Sequence, residues 1–417
     1  MECLSRYKNT FRVIRIDYLS RLFEDTFRVI RSFLSAKDFL QLYFTSKILF
    51  EETKKLKILV LKKGDSNKLY SDTVFLERVL SYVDSLVQVS LDLSDCDNVT
   101  DVHALGGVSS LNLRGCYNVF DVSALGNIRT LNLTGCFNIT DVSALGGVRT
   151  LVLWGCYNVI DVSKLGGVRN LNLKGCSKVT DISALGGVYT LNLSSCSQVT
   201  DVSTLGGVYT LNLSGCSNIT DVSALGGVHI LYLNYCSNVQ NVSALGRVNT
   251  LNLSGCNRVT DVSALGSVNT LYLDYCYDVT NVSTLGGVYN LNLCGCTRVS
   301  DVSALGGVKN LNLSGCNQVT DVSALGGVNT LNLSGCNRVI DVSALGGVHN
   351  LNLKNCFGVY DVSALGGLHT LNLVGCYQVQ DMSDLGGIHT LILNCMNNEG
   401  IVCPLGKVHS LILNDKM

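Results

Sequence analysis

The sequence contains no apolar run of the roughly 18 residues that a membrane-spanning helix requires. Its first residues, MECLSRYKNTFRVIRIDY, lack the continuous apolar core of a signal peptide. Charged residues make up only 15% of the chain and the formal net charge is −1, so no strong field attracts nucleic acid or an anionic membrane. We therefore expect neither a membrane nor nucleic acid as a partner.

Catalytic and phosphate-binding motifs are also missing. The sequence has no G-x-S-x-G, no phosphate loop and no H-E-x-x-H, and it has no Cys–His–Asp grouping outside its repeats. We expect a protein that is not an enzyme and that uses no cofactor and no metal.

What the sequence does have is a period of 20 residues. From residue 91 it divides into fifteen well-formed units up to residue 390, then a degenerate unit at 391–410 and a fragment at 411–417. The consensus is L-N-L-S-G-C-x-x-V-T-D-V-S-A-L-G-G-V-x-T, whose positions we number one to twenty. Leucines at positions one and three predict a strand, and apolar residues at nine, twelve, fifteen and eighteen complete an inward-facing set. One unit cannot bury this set alone, so neighbouring units must stack around a shared core.

These units resemble leucine-rich repeats. LNLSGCNRVTDVSALG at 251–266 follows the pattern L-x-x-L-x-L-x-x-[N/C]-x-L, and the half TDVSALGGV is similar to the TDISPL half of internalin-type repeats. The resemblance implies an α/β solenoid, a horseshoe or gently curved array with a parallel sheet on one face and short helical turns on the other. It also implies a role in binding other proteins.

A cysteine occupies position six of every well-formed unit. We interpret these thiols as a structural ladder, in which each fills a small apolar space and donates a weak hydrogen bond to a turn carbonyl. A straight row with rungs roughly 5 Å apart neither converges on a zinc ion nor reaches disulfide geometry. The ladder consists of Cys96 followed by Cys116, Cys136, Cys156, Cys176, Cys196, Cys216, Cys236, Cys256, Cys276, Cys296, Cys316, Cys336, Cys356 and Cys376. The odd total of nineteen cysteines favours a reducing compartment, cytoplasmic or nuclear.

Two further rows of polar residues follow the period. Position eleven is Asp in 13 of the 15 units and Asn in the other two, Asn241 and Asn281, and we expect these side chains to cap the turn that follows. Position nineteen carries His349, His369, His389 and His409 in consecutive units. This row has two interpretations: a position that tolerates any polar residue, or imidazoles close enough to share a metal ion.

The first ninety residues lie outside the period. We predict a helical segment at 1–56 and a strand plus a helix at 57–90 that cap the solenoid. Residues 22–50 resemble an F-box, with matches that include Leu22, Ile30, Phe33, Leu34 and Leu40, although Phe23 stands where the family has proline.

This resemblance implies docking to the linker subunit of a cullin-type ubiquitin ligase, with the solenoid recruiting the substrate. F-box and leucine-rich-repeat proteins of giant DNA viruses or unicellular eukaryotes look similar, and a viral protein of this kind would act in the host cell cytoplasm. The alternative is that residues 1–90 are a cap only, and that the chain is a repeat scaffold or decoy without ligase coupling.

The candidate partner site consists of departures from the consensus. Positions two, four and twenty should face the concave side, and position two is Asn in 11 of the 15 units. Exposed aromatic residues that interrupt this uniform surface are favoured interface anchors. The predicted site residues are Val152, Trp154, Tyr232, Tyr235, Tyr272 and Tyr275.

Overall fold

The computed structural model describes residues 58–61, 64, 67, 70, 71, 88–394 and 408–414. Within them, eighteen strands form one open sheet, and each strand pairs in parallel with the next strand along the chain. The strands are β1 Ile58–Leu61, β2 Gln88–Asp92, β3 Ser110–Asn112, β4 Thr130–Asn132, β5 Thr150–Val152, β6 Asn170–Asn172, β7 Thr190–Asn192, β8 Thr210–Asn212, β9 Ile230–Tyr232, β10 Thr250–Asn252, β11 Thr270–Tyr272, β12 Asn290–Asn292, β13 Asn310–Asn312, β14 Thr330–Asn332, β15 Asn350–Asn352, β16 Thr370–Asn372, β17 Thr390–Asn394 and β18 Ser410–Asn414.

Short 3₁₀ helices form the opposite side of the array. Their bounds are His103–Leu105, Ser123–Leu125, Ser143–Gly147, Leu165–Gly167, Ser183–Gly187, Leu205–Gly207, Ser223–Gly227, Ser243–Arg247, Ser263–Leu265, Leu285–Gly287, Ser303–Gly307, Ser323–Gly327, Ser343–Gly347, Ser363–Leu365 and Ser383–Gly387. None of the helices in the described part of the chain is both long and apolar enough to cross a membrane.

From β2 to β18 the strands pair in register with a constant offset of 20 residues, so each position of the unit lies beside the same position of the next. Leu311 pairs with Leu331, for example, and Leu331 with Leu351. The predicted inward set is confirmed, because positions one, three, six, nine, twelve, fifteen and eighteen are buried throughout 91–390. These side chains form one continuous core. The α/β solenoid predicted from the period is therefore confirmed.

The capping role predicted for position eleven is also confirmed. The N–H of Ser123 donates to Asp121 Oδ1 at 2.9 Å, and Asn241 accepts the N–H of Ser243 in the same way at 3.0 Å. The acceptor lies two residues before its donor, which is an Asx turn leading into the 3₁₀ helix. Hydrogen bonds from the Ser123 backbone and hydroxyl lower the pKa of Asp121. The carboxylate row is therefore held ionised by the turns that it caps.

The glycine at position sixteen is required by close packing of the backbone. A Cβ placed on Gly306 would overlap the carbonyl oxygen of Ala324 in the next unit, and Gly326 has the same relation to Ala344. The Gly-Gly pair at positions sixteen and seventeen is, as a sequence pattern, typical of a turn. The structure adds that position sixteen lets successive 3₁₀ helices stack at one strand spacing.

The array begins before the first 20-residue unit. The strand predicted in the capping segment is observed as β1, which pairs with β2 in parallel. The hydroxyl of Tyr70 donates to the carbonyl of Asp101 at 2.9 Å and accepts the N–H of Thr100 at 3.3 Å. This side chain therefore contacts the first repeat. The F-box-like segment at 1–56 lies outside the described residues.

The residue at position five has a left-handed backbone in all fifteen units, ten of which have glycine there. Tyr235 and Tyr275 are the bulky exceptions, with φ of 61° and 57°. Each tyrosine ring lies on the glycine of the next unit, since a Cβ on Gly255 would be 2.6 Å from Tyr235 Cδ1 and one on Gly295 equally close to Tyr275. A large residue at position five therefore requires glycine one unit later.

We predict that Gly255→Ala destabilises the solenoid by about 1–3 kcal/mol more than Gly315→Ala. Both glycines have the same left-handed φ, 73° and 72°, so both substitutions carry the same backbone penalty. Gly255 is covered by the Tyr235 ring, whereas a Cβ on Gly315 has no neighbour nearer than 3.7 Å. Urea unfolding of the two variants measures the difference. Adding Tyr235→Gly should remove the excess loss, and equal losses in the two single variants would contradict the ring–glycine contact.

Candidate functional site

The asparagine of position two is part of the fold. In each unit that has Asn there, its side-chain oxygen accepts the N–H of position four, as Asn312 does from Ser314 and Asn332 from Ser334, both at 3.0 Å. This Asx turn fixes the chain as it leaves the strand. The uniform Asn row that sequence analysis placed on the concave face around the predicted site is therefore a row of turn caps.

Three units between residues 91 and 390 lack this cap, and all three carry residues of the predicted site. Their position two is Val152, Tyr232 or Tyr272, instead of Asn or Asp. Valine has no acceptor, and a tyrosine hydroxyl lies at the far end of the ring from its own backbone. Each of these units forgoes a hydrogen bond of about 0.5–1.5 kcal/mol.

Two of the three units carry a second departure, at position five. Tyr235 and Tyr275 lie in the turn that follows the strand, at the edge of the sheet and not on its pleated face, where sequence analysis placed them. Their rings are 62% and 47% exposed, although a left-handed tyrosine is strained by about 1–3 kcal/mol. The structure thus places Tyr232 with Tyr235 in one unit and Tyr272 with Tyr275 two units later.

Trp154 and Val152 form the third part of the predicted site. Trp154 is 48% exposed, and the Lys174 ammonium lies 4.9 Å from its ring centroid. This cation–π contact fixes the indole from one side and leaves the rest accessible. Val152 is half-buried beside it on the sheet face.

A row of stacked side chains at position nineteen borders the amino-terminal ends of the strands. Arg169 lies 4.9 Å from the centroid of Tyr189, whose ring stacks on Tyr209 at 4.8 Å, and Tyr209 stacks on His229 at 4.7 Å. The sheet face between Trp154 and Tyr275 is therefore bordered by aromatic side chains along both edges.

Sequence analysis did not identify Asp274, which lies at position four, two residues after Tyr272. Its carboxylate accepts hydrogen bonds from Ser254 Oγ at 2.8 Å and from the Asn292 side-chain amide. It also missed an exposed aromatic row in the turns, where Phe137 stacks between Tyr117 and Tyr157 at 5.3 and 5.5 Å. The recurrence of aromatic residues at one position in three consecutive units was the available signal.

The cysteine ladder is structural in its geometry. Each thiol from Cys116 to Cys376 donates to the carbonyl of position three in the preceding unit, at 2.9–3.2 Å. Burial raises the pKa of the Cys216 thiol to about 11, so the row is protonated at neutral pH. The fourteen ladder sulfurs from Cys116 to Cys376 are all free thiols. This confirms the predicted hydrogen bond to a turn carbonyl and identifies it as one in the neighbouring unit.

One surface depression lies between two capped turns. Its volume is about 480 Å³, and Asp361, Ser363, Gln378 and Asp381 contribute to its lining. Asp361 already accepts the N–H of Ser363 at 2.9 Å, and Asp381 caps the following turn equally. The depression is a gap in the repeat lattice, so we place the candidate site on the sheet face.

The four consecutive histidines of position nineteen, His349 to His409, form a continuous stack. Ring centroids are 4.6 Å apart for His349 and His369, and 4.5 Å apart for each of the next two pairs, which end at His409. Near-parallel rings direct their nitrogen lone pairs side by side, whereas zinc requires donors that converge. Across the described residues, no three His, Cys, Asp or Glu side chains are grouped to hold a metal ion. Loss of hydration, followed by the charges of His369 and His409, lowers the pKa of His389.

We predict that acidification destabilises the chain through this stack. Because the pKa of His389 is lower in the folded than in the unfolded chain, the unfolded chain binds more protons as pH falls below about 6.5. Stability is therefore highest above that pH and decreases as pH falls through the folded pKa. The melting temperature should fall more between pH about 7.5 and about 5.5 in the native chain than in His369→Asn/His389→Asn. Equal decreases in melting temperature for the two proteins would contradict the prediction. A rise in melting temperature on addition of zinc, seen only in the native chain, would support the metal interpretation.

No family model and no curated protein matches the sequence. Among solved structures, the functional domain of InlJ from Listeria monocytogenes, which includes a cysteine ladder, is similar over 76% of this chain and 76% of that chain, with 18% identity and a TM-score of 0.51. An internalin (inlF) from the same organism matches over 84% of this chain and 98% of its own, with 20% identity and a TM-score of 0.47. A leucine-rich-repeat protein of Leptospira interrogans matches over 73% and 89%, with 17% identity and a TM-score of 0.44. The likeness to the InlJ domain shows that this chain has the leucine-rich-repeat fold.

Proposed function

We propose that the chain is a non-catalytic protein-binding solenoid whose partner is anchored on the sheet face and strand ends of residues 151–290. One observation carries the proposal. The units 231–250 and 271–290 each lack the position-two cap and each place a strained tyrosine at position five. Both departures lower stability, and both place a tyrosine at the surface, where Tyr232 is partly buried and Tyr235, Tyr272 and Tyr275 are exposed. Strain of this kind is typical of functional sites.

The exposed side chains suit a protein partner. Tyrosine and tryptophan provide large contact areas with few rotatable bonds, and they are enriched among the anchors of interfaces. Tyr232 and Tyr272 are separated by one unit that has the consensus Asn252, so they lie roughly 10 Å apart. A side chain of the partner can enter between these two tyrosines. Asp274, two residues after Tyr272, offers such a side chain a negative charge.

We predict that Tyr232→Asn/Tyr272→Asn stabilises the chain and abolishes partner binding. Each asparagine restores the consensus cap, which should raise the free energy of unfolding by about 0.5–1.5 kcal/mol. Urea unfolding measures the gain. Quantitative mass spectrometry of proteins captured by each variant measures the loss of the partner.

The matched control is Asn312→Tyr, which makes the opposite exchange outside the proposed site. This substitution should lower the free energy of unfolding by a similar amount, because Asn312 caps the Ser314 N–H. It should leave the set of captured proteins unchanged. Retention of every captured protein by the double variant would overturn the site.

We further propose, from the F-box resemblance of residues 1–56, that the chain recruits substrates to a cullin-type ubiquitin ligase. Leu22, Ile30, Phe33, Leu34 and Leu40 would form the docking surface for the linker subunit. The support is the ordered match of sequence alone, because these residues lie outside the described part of the structure. The row of adjacent free thiols from Cys116 to Cys376 supports the accompanying proposal that the chain works in a reducing compartment, cytoplasmic or nuclear.

Binding of the full chain to purified linker subunit tests the adaptor proposal. We predict saturable binding that is lost in Leu34→Asp, because a charge there would be buried in the docking surface. Tyr232→Asn/Tyr272→Asn is the matched control and should bind the linker subunit normally, since its substitutions lie in the solenoid. Absence of saturable binding by the native chain would contradict the adaptor proposal and favour a repeat scaffold or decoy without ligase coupling.

A further inference from the structure

Positive charge is concentrated on one part of the sheet face. The outward positions of the repeat are nineteen, twenty, two and four, which lie just before, on and just after each strand. Between Ser109 and Thr190 these positions hold five basic residues and no acidic residue. We call this group the basic face, and it consists of Arg114, Arg129, Arg149, Arg169 and Lys174. Across residues 191–394, Lys, Arg, Asp or Glu occurs at these positions three times, as Asp274, Lys309 and Lys354.

Three of the five residues form a row of like charges. Arg129, Arg149 and Arg169 are all exposed and directly precede β4, β5 and β6, which pair in register. The carbonyl of Arg129 accepts the Thr150 N–H at 2.9 Å, and that of Arg149 accepts the Asn170 N–H at 3.0 Å. The three arginine side chains therefore leave the backbone roughly 4.8 Å apart. Their like charges are concentrated along one row and repel each other.

No described acidic side chain forms an ion pair with the basic face, although Asp92 and Asp95 of the preceding unit lie at its Arg114 end. The ion pairs among the described residues join His103 to Asp101 and Asp121, and Arg298 to Asp278. Two of the five basic side chains instead lie on aromatic rings, Lys174 on Trp154 and Arg169 on Tyr189. These contacts position the cations and leave their charge available to a ligand.

The rings on this surface favour a protein ligand over nucleic acid. Single-stranded nucleic acid binds by stacking bases on open aromatic faces. Tyr189 has Arg169 on one side and Tyr209 stacked against it at 4.8 Å, and Lys174 covers one face of Trp154. The threonines and asparagines between the arginine row and Trp154 offer hydrogen bonds to a peptide backbone, and guanidinium groups pair with carboxylates in a bidentate manner.

We propose that the basic face binds an acidic, extended segment of the protein partner. This inference rests on the proposed function and identifies the chemistry of the partner. The basic face and the tyrosine units 231–250 and 271–290 lie on one continuous sheet. The acidic segment binds residues 109–190, while the tyrosines anchor the remainder of the same partner.

Fluorescence anisotropy with the full chain tests the proposal. The probe is a labelled peptide of alternating Glu and Thr, with a Gln–Thr peptide of the same length as the uncharged control. The native chain should bind the Glu peptide, and added salt should weaken this binding. The variant Arg129→Asn/Arg149→Asn/Arg169→Asn should bind it roughly tenfold or more weakly. Asparagine occupies position nineteen in Asn249, Asn269 and Asn329, so this variant is expected to fold.

The matched control is Lys309→Asn/Lys354→Asn, which removes outward lysines from outside the basic face and should leave peptide affinity unchanged. Equal affinity of the native chain and the arginine variant for the Glu peptide would overturn the proposal. Equal or tighter binding of a thymidine oligonucleotide at the same salt, lost in the arginine variant, would also overturn it and indicate a nucleic-acid site.

Capture of the partner separates this inference from the proposed function. A protein captured by the native chain and lost from both the arginine and the tyrosine variants supports both. A protein lost only from the tyrosine variant overturns the acidic-segment inference and leaves the proposed function intact. Binding of the Glu peptide through the arginines, with no protein lost from the tyrosine variant, overturns the tyrosine site and supports the basic face.

Discussion

The carbonyl at position three is the acceptor on which each unit and its junction both depend. In Leu193 this oxygen accepts the N–H of Cys196 within its own unit at 3.0 Å, and the thiol of Cys216 from the next unit at 3.1 Å. The first bond closes the turn after the strand and the second joins that turn to its neighbour, so both lone pairs are used. A thiol suits this site because it is small and apolar and still donates one hydrogen bond. The first unit differs, since Cys96 donates within its own turn, to the Ser94 carbonyl at 3.5 Å.

Exact register has a consequence for every outward side chain, because each lies beside its own equivalent at one strand spacing. Such a row is favourable for side chains that hydrogen-bond to, or stack on, an identical neighbour. Asn310 donates to Asn290 across the row, and the rings of Tyr189 and Tyr209 stack. Rows of like charge are costly unless another group compensates. The aspartates of position eleven are compensated by the backbone N–H groups that they cap, whereas the arginines at 129, 149 and 169 have no such counterpart in the described structure.

Period and polarity were enough to predict the strands, the core and the capping aspartates, because these depend on which residues are apolar and how they are spaced. The function of a polar residue could not be read in the same way. Asparagine at position two was predicted only to face the concave side, and the 3.0 Å bond from the Ser314 N–H shows that it caps a turn. Gly306 looked like a turn residue, yet it is needed because the next unit's backbone touches it. The tyrosines of the candidate site were identified as departures from the consensus, but their cost depends on backbone angles that the sequence does not display.

The alternative origin of those tyrosines is neutral divergence within a duplicated array, and the two units themselves argue against it. Units 231–250 and 271–290 share tyrosine at positions two and five and asparagine at position eleven, which indicates that one was copied from the other. They differ at positions four, seven, eight, ten, fourteen, seventeen, nineteen and twenty, which is eight of the twenty. Divergence has thus replaced many residues of the pair, including exposed ones such as Gln240 and Thr280, while the four tyrosines persist. Copying explains why the tyrosines occur together, but it does not explain why residues that lower stability outlast neutral ones, whereas contact with a partner does.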